Sequence, residues 1–165
     1  MKRIIFTTVT LSVAGTLLLA SPAFAREPAQ TMATMVLIGS DAQVGIVDNS
    51  PAGASPGDVR TLSVKLAKTN GTDMGEAQVV ETLTRHVGTL GTAVKLVVLD
   101  LPQGTITATG HADYDNFTSF DSGPNEPNER LTIIGGSGPY RGATGQVDVK
   151  SLPDLKSRWT IVLNK

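Results

Sequence analysis

Apolar and polar residues alternate with a period of two along much of this chain. Leu62, Val64 and Leu66 fall on one face of a short run, with Ser63 and Lys65 on the other. Val147 and Val149 oppose Gln146 and Asp148 in the same way. That period marks β-strands with one buried and one wetter face. It predicts strands near Met32–Ser40, Val59–Lys68, Gly75–Arg85, Ala93–Asp100, Thr105–Ala112, Arg130–Ile134, Gln146–Ser151 and Arg158–Leu163. Turn chemistry separates several of these runs: Asn70-Gly71, Pro102-Gln103-Gly104 and Pro153-Asp154. Two long stretches, Asp41–Gly57 and Asp113–Asn128, read as irregular. No segment carries a long helical apolar stripe. Short strands without helices form a sandwich or a closed barrel, and the pattern alone leaves both open. Aromatic residues are only 4% of the chain, so the interior is aliphatic. A barrel of about eight strands is either filled by side chains or holds one small ligand.

The first residues change the picture of where the protein works. Lys2 and Arg3 precede an uncharged apolar run to Ala20, and Ala23-Phe24-Ala25 fits the small-x-small cleavage rule. Residues 1–25 are therefore expected to be a signal peptide, 26–33 a flexible lead-in and 34–165 one barrel domain. The mature protein would be secreted or periplasmic, starting at Arg26. No other stretch is apolar enough to span a bilayer, so stable membrane insertion is not expected after cleavage. Loss of Lys2 and Arg3 leaves 12 basic against 15 acidic residues, a net charge of −3. That balance argues against a nucleic-acid partner. The absence of cysteine excludes disulfides, thiol catalysis and thiolate metal sites.

The run Thr132–Val149 is rich in glycine and raises the question of a phosphate loop. Gly136-Ser137-Gly138 is followed three residues later by Arg141, not glycine, and no Gly-Lys-Ser/Thr follows. Pro139 lacks an amide hydrogen, and Val147 and Val149 continue a strand, not a helix. The run is a strand corner, in which Gly136 and Gly138 are expected to adopt conformations that a β-carbon disfavours. Gly135-Gly136-Ser137-Gly138-Pro139-Tyr140-Arg141-Gly142-Ala143-Thr144-Gly145 resembles the signature corner of the allene oxide cyclase and dirigent barrels. Gly75-Glu76-Ala77-Gln78, Gln103-Gly104-Thr105 through Gly110, and Trp159–Asn164 resemble further family strands, in family order. The resemblance runs from Thr34 to the C-terminus. It implies an all-β, eight-stranded antiparallel barrel with a ligand cavity at one mouth. It implies neither a metal nor a bound cofactor, and a homo-oligomer, dimer or trimer, as the assembly. The implied partner is a small hydrophobic molecule, whose cyclisation or stereoselective coupling the barrel steers. A non-catalytic carrier and an exported scaffold are the alternatives. Converged polar groups in a deep cavity would favour the first, a purely apolar cavity the second, and a barrel packed shut the third.

Three residues stand out as catalytic candidates. Asp41 follows the first predicted strand, where dirigents carry an acidic pair, and would act as general acid or base. A plain turn aspartate is the competing reading. His111 and Tyr114 lie in "HADYDN", a polar strand end that could orient a ligand or supply a proton. The spacing of His111, Asp113 and Asp115 is not diagnostic of a metal. Where dirigents carry a pocket arginine in A-R-G, this chain has Ala143-Thr144-Gly145, which weakens the transfer of dirigent chemistry. Arg141 lies at an odd offset from that position and does not replace it. His86 reads as a solvated strand end, and Trp159 as core or oligomer contact. The sequons at Asn70 and Asn116 read as turn chemistry.

Overall fold

The computed structural model describes residues 32–49, 51–120 and 128–164. The signal peptide and most of the lead-in expected from the sequence lie outside the described residues. Eight strands follow one another: β1 (Met32–Val47), β2 (Val59–Lys68), β3 (Asp73–Val87), β4 (Leu90–Leu101), β5 (Gly104–Tyr114), β6 (Glu129–Gly136), β7 (Thr144–Leu152) and β8 (Lys156–Asn164). Each pairs antiparallel with the next, and β1 pairs with β8 to close the barrel. Closure leaves no strand edge open to aggregation, which suits a chain that has no cysteine for disulfides.

The period-two pattern locates the strands because each buries one face. β2 sends Arg60, Leu62, Val64 and Leu66 inward, and β3 sends Ala77, Val79, Glu81 and Leu83. The element the pattern misjudges is β1. It does not stop at Ser40 but continues to Val47 through a register shift between Ser40 and Gln43. Leu37 and Gly39 face inward before the shift, and Val44 and Ile46 after it. An inserted residue switches the inward positions from odd to even, so the strand loses its period and reads as a break. At its other end β1 begins at Met32, within the expected lead-in, because it pairs with Asn164 of β8 there. The Asn70 sequon is turn chemistry, with the Thr72 amide donating to Asn70 Oδ1 at 3.1 Å.

The interior is divided. One end is filled by aliphatic side chains, among them Leu37, Leu66, Leu99, Ile106 and Ile161, with Tyr140 and Ala143 of the glycine corner. The other end holds an aromatic plug of Tyr114, Phe117 and Phe120 against Leu83 and Ala93. On the outer surface Arg130 of β6 faces Asp148 of β7, Nε to Oδ1 at 2.7 Å. The hydrogen bond to that carboxylate, with its charge, holds the Arg130 proton more firmly than usual.

The corner closes the aliphatic end. A single 3₁₀ turn, Gly138–Tyr140, carries the chain from β6 to β7. Gly138 has φ 57°, and a β-carbon there would collide with the Gln103 carbonyl oxygen. Gly136 needs glycine for a different reason from the expected one. Its backbone is not left-handed, but a β-carbon would stand 2.5 Å from the Thr105 carbonyl oxygen. Both contacts tie the corner to the β4–β5 hairpin. Gly138→Val should therefore lower stability by about 1–3 kcal/mol from backbone strain alone. Thermal melts check this, and an unchanged midpoint would contradict it.

Candidate functional site

Four charged side chains stand where alternation puts them inside the barrel. Arg60 of β2 is the cross-strand partner of Glu81 on β3, which in turn is the partner of Lys95 on β4. The next partner in that row, on β5, is Gly110, which has no side chain. Leu131 of β6 leans over it, so close that a β-carbon on Gly110 would stand 2.7 Å from Leu131 Cδ2. Glu129, two residues before Leu131 on the same inward face, reaches across to Lys95. Here β5 and β6 no longer pair, since their ladder runs only from Ile106 to Thr109 on β5. The Lys95–Glu129 ion pair spans the gap that the missing hydrogen bonds leave.

The row is tightly bonded. Arg60 Nε donates to Glu81 Oε2 at 2.7 Å, and Arg60 Nη2 lies 2.5 Å from the same oxygen. Lys95 Nζ pairs with Glu81 Oε1 and with Glu129 Oε1. The Tyr114 hydroxyl accepts from Arg60 Nη2 at 3.1 Å and donates to Glu81 Oε2 at 3.2 Å. Arg60 also lies 5.1 Å from the centre of the Phe120 ring, and Lys95 5.7 Å from that of Tyr114. These aromatic faces favour the adjacent cations. The side chains of Arg60, Glu81 and Lys95 are no more than 5% exposed. Charges so placed are tolerable only when mutually paired.

The quartet forms the inner end of a cavity of about 650 Å³. Its walls are Leu62, Val64, Val79, Val97, Leu131 and Trp159. Its mouth lies between the register shift of β1, at Ser40, Asp41 and Ala42, and the β7–β8 turn, at Asp154 and Leu155. The volume falls within the range of small-molecule sites. Trp159, expected as core or oligomer contact, packs in the core and also forms cavity wall, its indole Nε1 donating to Ser157 Oγ at 2.8 Å.

The three sequence candidates do not converge. Tyr114 is buried in the charged row. Asp41 is at the mouth, 69% exposed, with its carboxylate 3.5 Å from Lys65 Nζ. His111 stands on the outer face, 71% exposed and 3.8 Å from Asp113, because alternation that turns Tyr114 inward turns His111 outward. Among the described residues no third side chain completes a metal-ligating group. Arg141 and Thr144 are exposed at the corner, away from the cavity. His86 is half-buried, its Nε2 bonded to the Phe117 carbonyl at 3.3 Å, not a solvated end. The sequence signal for the quartet is parity: Arg60, Glu81 and Lys95 each occupy an inward position of an otherwise apolar strand face.

Glu81 holds two cations, so removing its charge leaves them under-compensated in a dry interior. Glu81→Gln should cost about 3–5 kcal/mol in urea unfolding. Lys65→Gln, which breaks the exposed pair with Asp41, should cost no more than about 1 kcal/mol. Equal losses would mean that the interior charges are as well hydrated as those on the surface.

The fold has known relatives. A family model described as the allene oxide cyclase barrel like domain matches residues 39–163. Among solved structures, the chain is similar to pyocyanin demethylase, with a TM-score of 0.63 and 22% identity, covering 79% of this chain and 99% of that one. It is similar to a nonspecific heme-binding cyclase that catalyses a cycloaddition during neoabyssomicin biosynthesis. That likeness has a TM-score of 0.63 and 18% identity, and covers 82% of this chain and 64% of that one. The exo-specific intermolecular Diels-Alderase AbnU gives a TM-score of 0.58 at 18% identity, covering 82% of this chain and 99% of that one. At these identities the likeness is one of fold. No curated protein sequence matches the chain.

Proposed function

The chain belongs to the allene oxide cyclase barrel-like family, and from that membership we propose that it binds a small hydrophobic molecule and steers its cyclisation or stereoselective coupling. The observation that carries this reading is the cavity's two-part lining. Its walls are aliphatic, with one indole, and its inner end gathers Arg60, Glu81, Lys95 and Glu129. A carrier needs only the walls. Burying four charges is costly, and a site that polarises a bound group gives that cost a use. A scaffold would be packed shut, whereas about 650 Å³ stays open here.

In this reading the walls fold a flexible chain so that its reacting carbons meet, which is the entropic part of the rate gain. The charged end polarises a carbonyl or hydroxyl of the ligand through fixed dipoles that need no reorganisation. Ring closure within one molecule is an isomerisation and consumes no co-substrate. Asp41, at the mouth, is the candidate to move a proton there. Tyr114 fixes Arg60 and Glu81 and so acts as a positioning residue. His111 points away from the cavity and takes no part. AbnU, a Diels-Alderase, and the heme-binding cyclase, which catalyses a cycloaddition, support ring formation as the reaction class.

The test is a screen of linear polyenes with an electron-poor alkene, of epoxides, and of phenols supplied with a one-electron oxidant, first for binding and then for product. One stereoisomer should accumulate faster than without protein. Tyr114→Phe should lower turnover by about tenfold while binding persists. Asp41→Asn should do the same only if a proton moves at the mouth. Binding without turnover for every class would leave a carrier.

Export is part of the proposal, supported by the apolar start and Ala23-Phe24-Ala25. N-terminal sequencing of material recovered outside the cytoplasm should read from Arg26. A retained Met1 on a membrane-bound form would show an anchor instead.

A further inference from the structure

The inner end of the cavity can be read for the charge of its ligand, an inference that rests on the small-molecule reading above. Two cations, Arg60 and Lys95, meet two carboxylates, Glu81 and Glu129, and the ion pairs join all four. Their formal charges cancel. At the mouth the cavity adds Asp41, Asp154 and Lys156, which leaves the lining one charge on the negative side.

A carboxylate entering this cavity would lose its hydration and find both cations of the row, Arg60 and Lys95, already bonded to acids. It would face Glu81 and Glu129 at close range with no surplus positive charge to offset the repulsion. A neutral carbonyl or hydroxyl meets no such penalty. It can share a hydrogen bond from the cations without changing the charge of the row.

We infer that the cavity selects uncharged hydrophobic ligands carrying a carbonyl or hydroxyl, and rejects the corresponding fatty carboxylates. Trp159, the only tryptophan, is in the wall and provides the readout. Titrating the mature protein with decanol and with decanoate at neutral pH compares one chain length with and without charge. Decanol should quench or shift Trp159 emission with an affinity about tenfold or more above that of decanoate. Calorimetry repeats the comparison independently of the fluorophore.

Glu129→Gln then removes one carboxylate and leaves the quartet one positive charge in surplus. Decanoate affinity should rise by about tenfold relative to that of decanol. Circular dichroism melts establish first that the variant folds. If it does not, the comparison on the unmodified protein decides alone. Decanoate binding as tightly as decanol to the unmodified protein would overturn the inference and leave the small-molecule reading intact. So would a folded Glu129→Gln with no gain for decanoate. Binding of neither probe by either method would instead sink the cavity reading itself.

Discussion

The two ion pairs of Glu81 hold the middle of this barrel together. Its carboxylate takes Arg60 from one neighbouring strand and Lys95 from the other. The three side chains are cross-strand partners, so the contact exists only in one register of β2, β3 and β4. A slip of one residue would bring Val80 inside and put Glu81 outside, stranding both cations. The aliphatic positions resist the same slip, but a valine row tolerates neighbouring valines, whereas a charge tolerates only its opposite. Buried ion pairs add little net stability against apolar substitutes, and fixing register is the use that matches this geometry.

That row also divides the interior into parts with different work. Below it, the aliphatic core and the glycine corner close the barrel, and glycine is required where backbone meets backbone. Beyond it, Tyr114, Phe117 and Phe120 plug part of the other end, with ring centres 5.1 to 6.4 Å apart. The cavity runs past the plug on the β1, β7 and β8 side. Ordinary packing would fill this space too. The open space lies on the aliphatic side of the row, walled there by Leu62, Val64, Val79, Val97 and Leu131.

The fold was legible because alternation repeats in strand after strand, and β2 was read to its boundaries. The glycine corner was legible because strict glycine spacing reflects close backbone approach. Within β1, the register shift inverted the parity that the reading relied on. The site was harder to see for a related reason. Charges in strands are usually solvated, so the sequence directs attention away from Arg60, Glu81 and Lys95 and toward Asp41 and His111 at apparent strand ends. Yet Glu81 shares parity with Ala77, Val79 and Leu83, and Lys95 with Val97 and Leu99. Three charges on three buried faces are improbable unless they meet. Glu129 shares parity with Leu131 and Ile133 as well, but it lies one residue before the strand read at Arg130–Ile134, and its reach to Lys95 depends on where the β5–β6 ladder stops.

The mouth has a physical signature of its own. Of the four non-glycine residues with positive φ among those described, three border it: Asp41 at 52°, Asp154 at 62° and Leu155 at 55°. Two adjacent residues of this kind are what a tight hairpin turn matched to strand twist requires, but glycine is the usual second residue, not leucine. Leu155 is also 96% exposed, so neither backbone preference nor burial favours it there. Asp41 lies in the register shift of β1, between Ser40 and Gln43. Strain of this kind costs on the order of 1–3 kcal/mol per residue and persists only where the surroundings hold it. At the closed end, the same backbone conformation is given to Gly138, where it costs little. The fold therefore spends glycine on closure and accepts strain at the opening, which is where the cavity has to stay accessible.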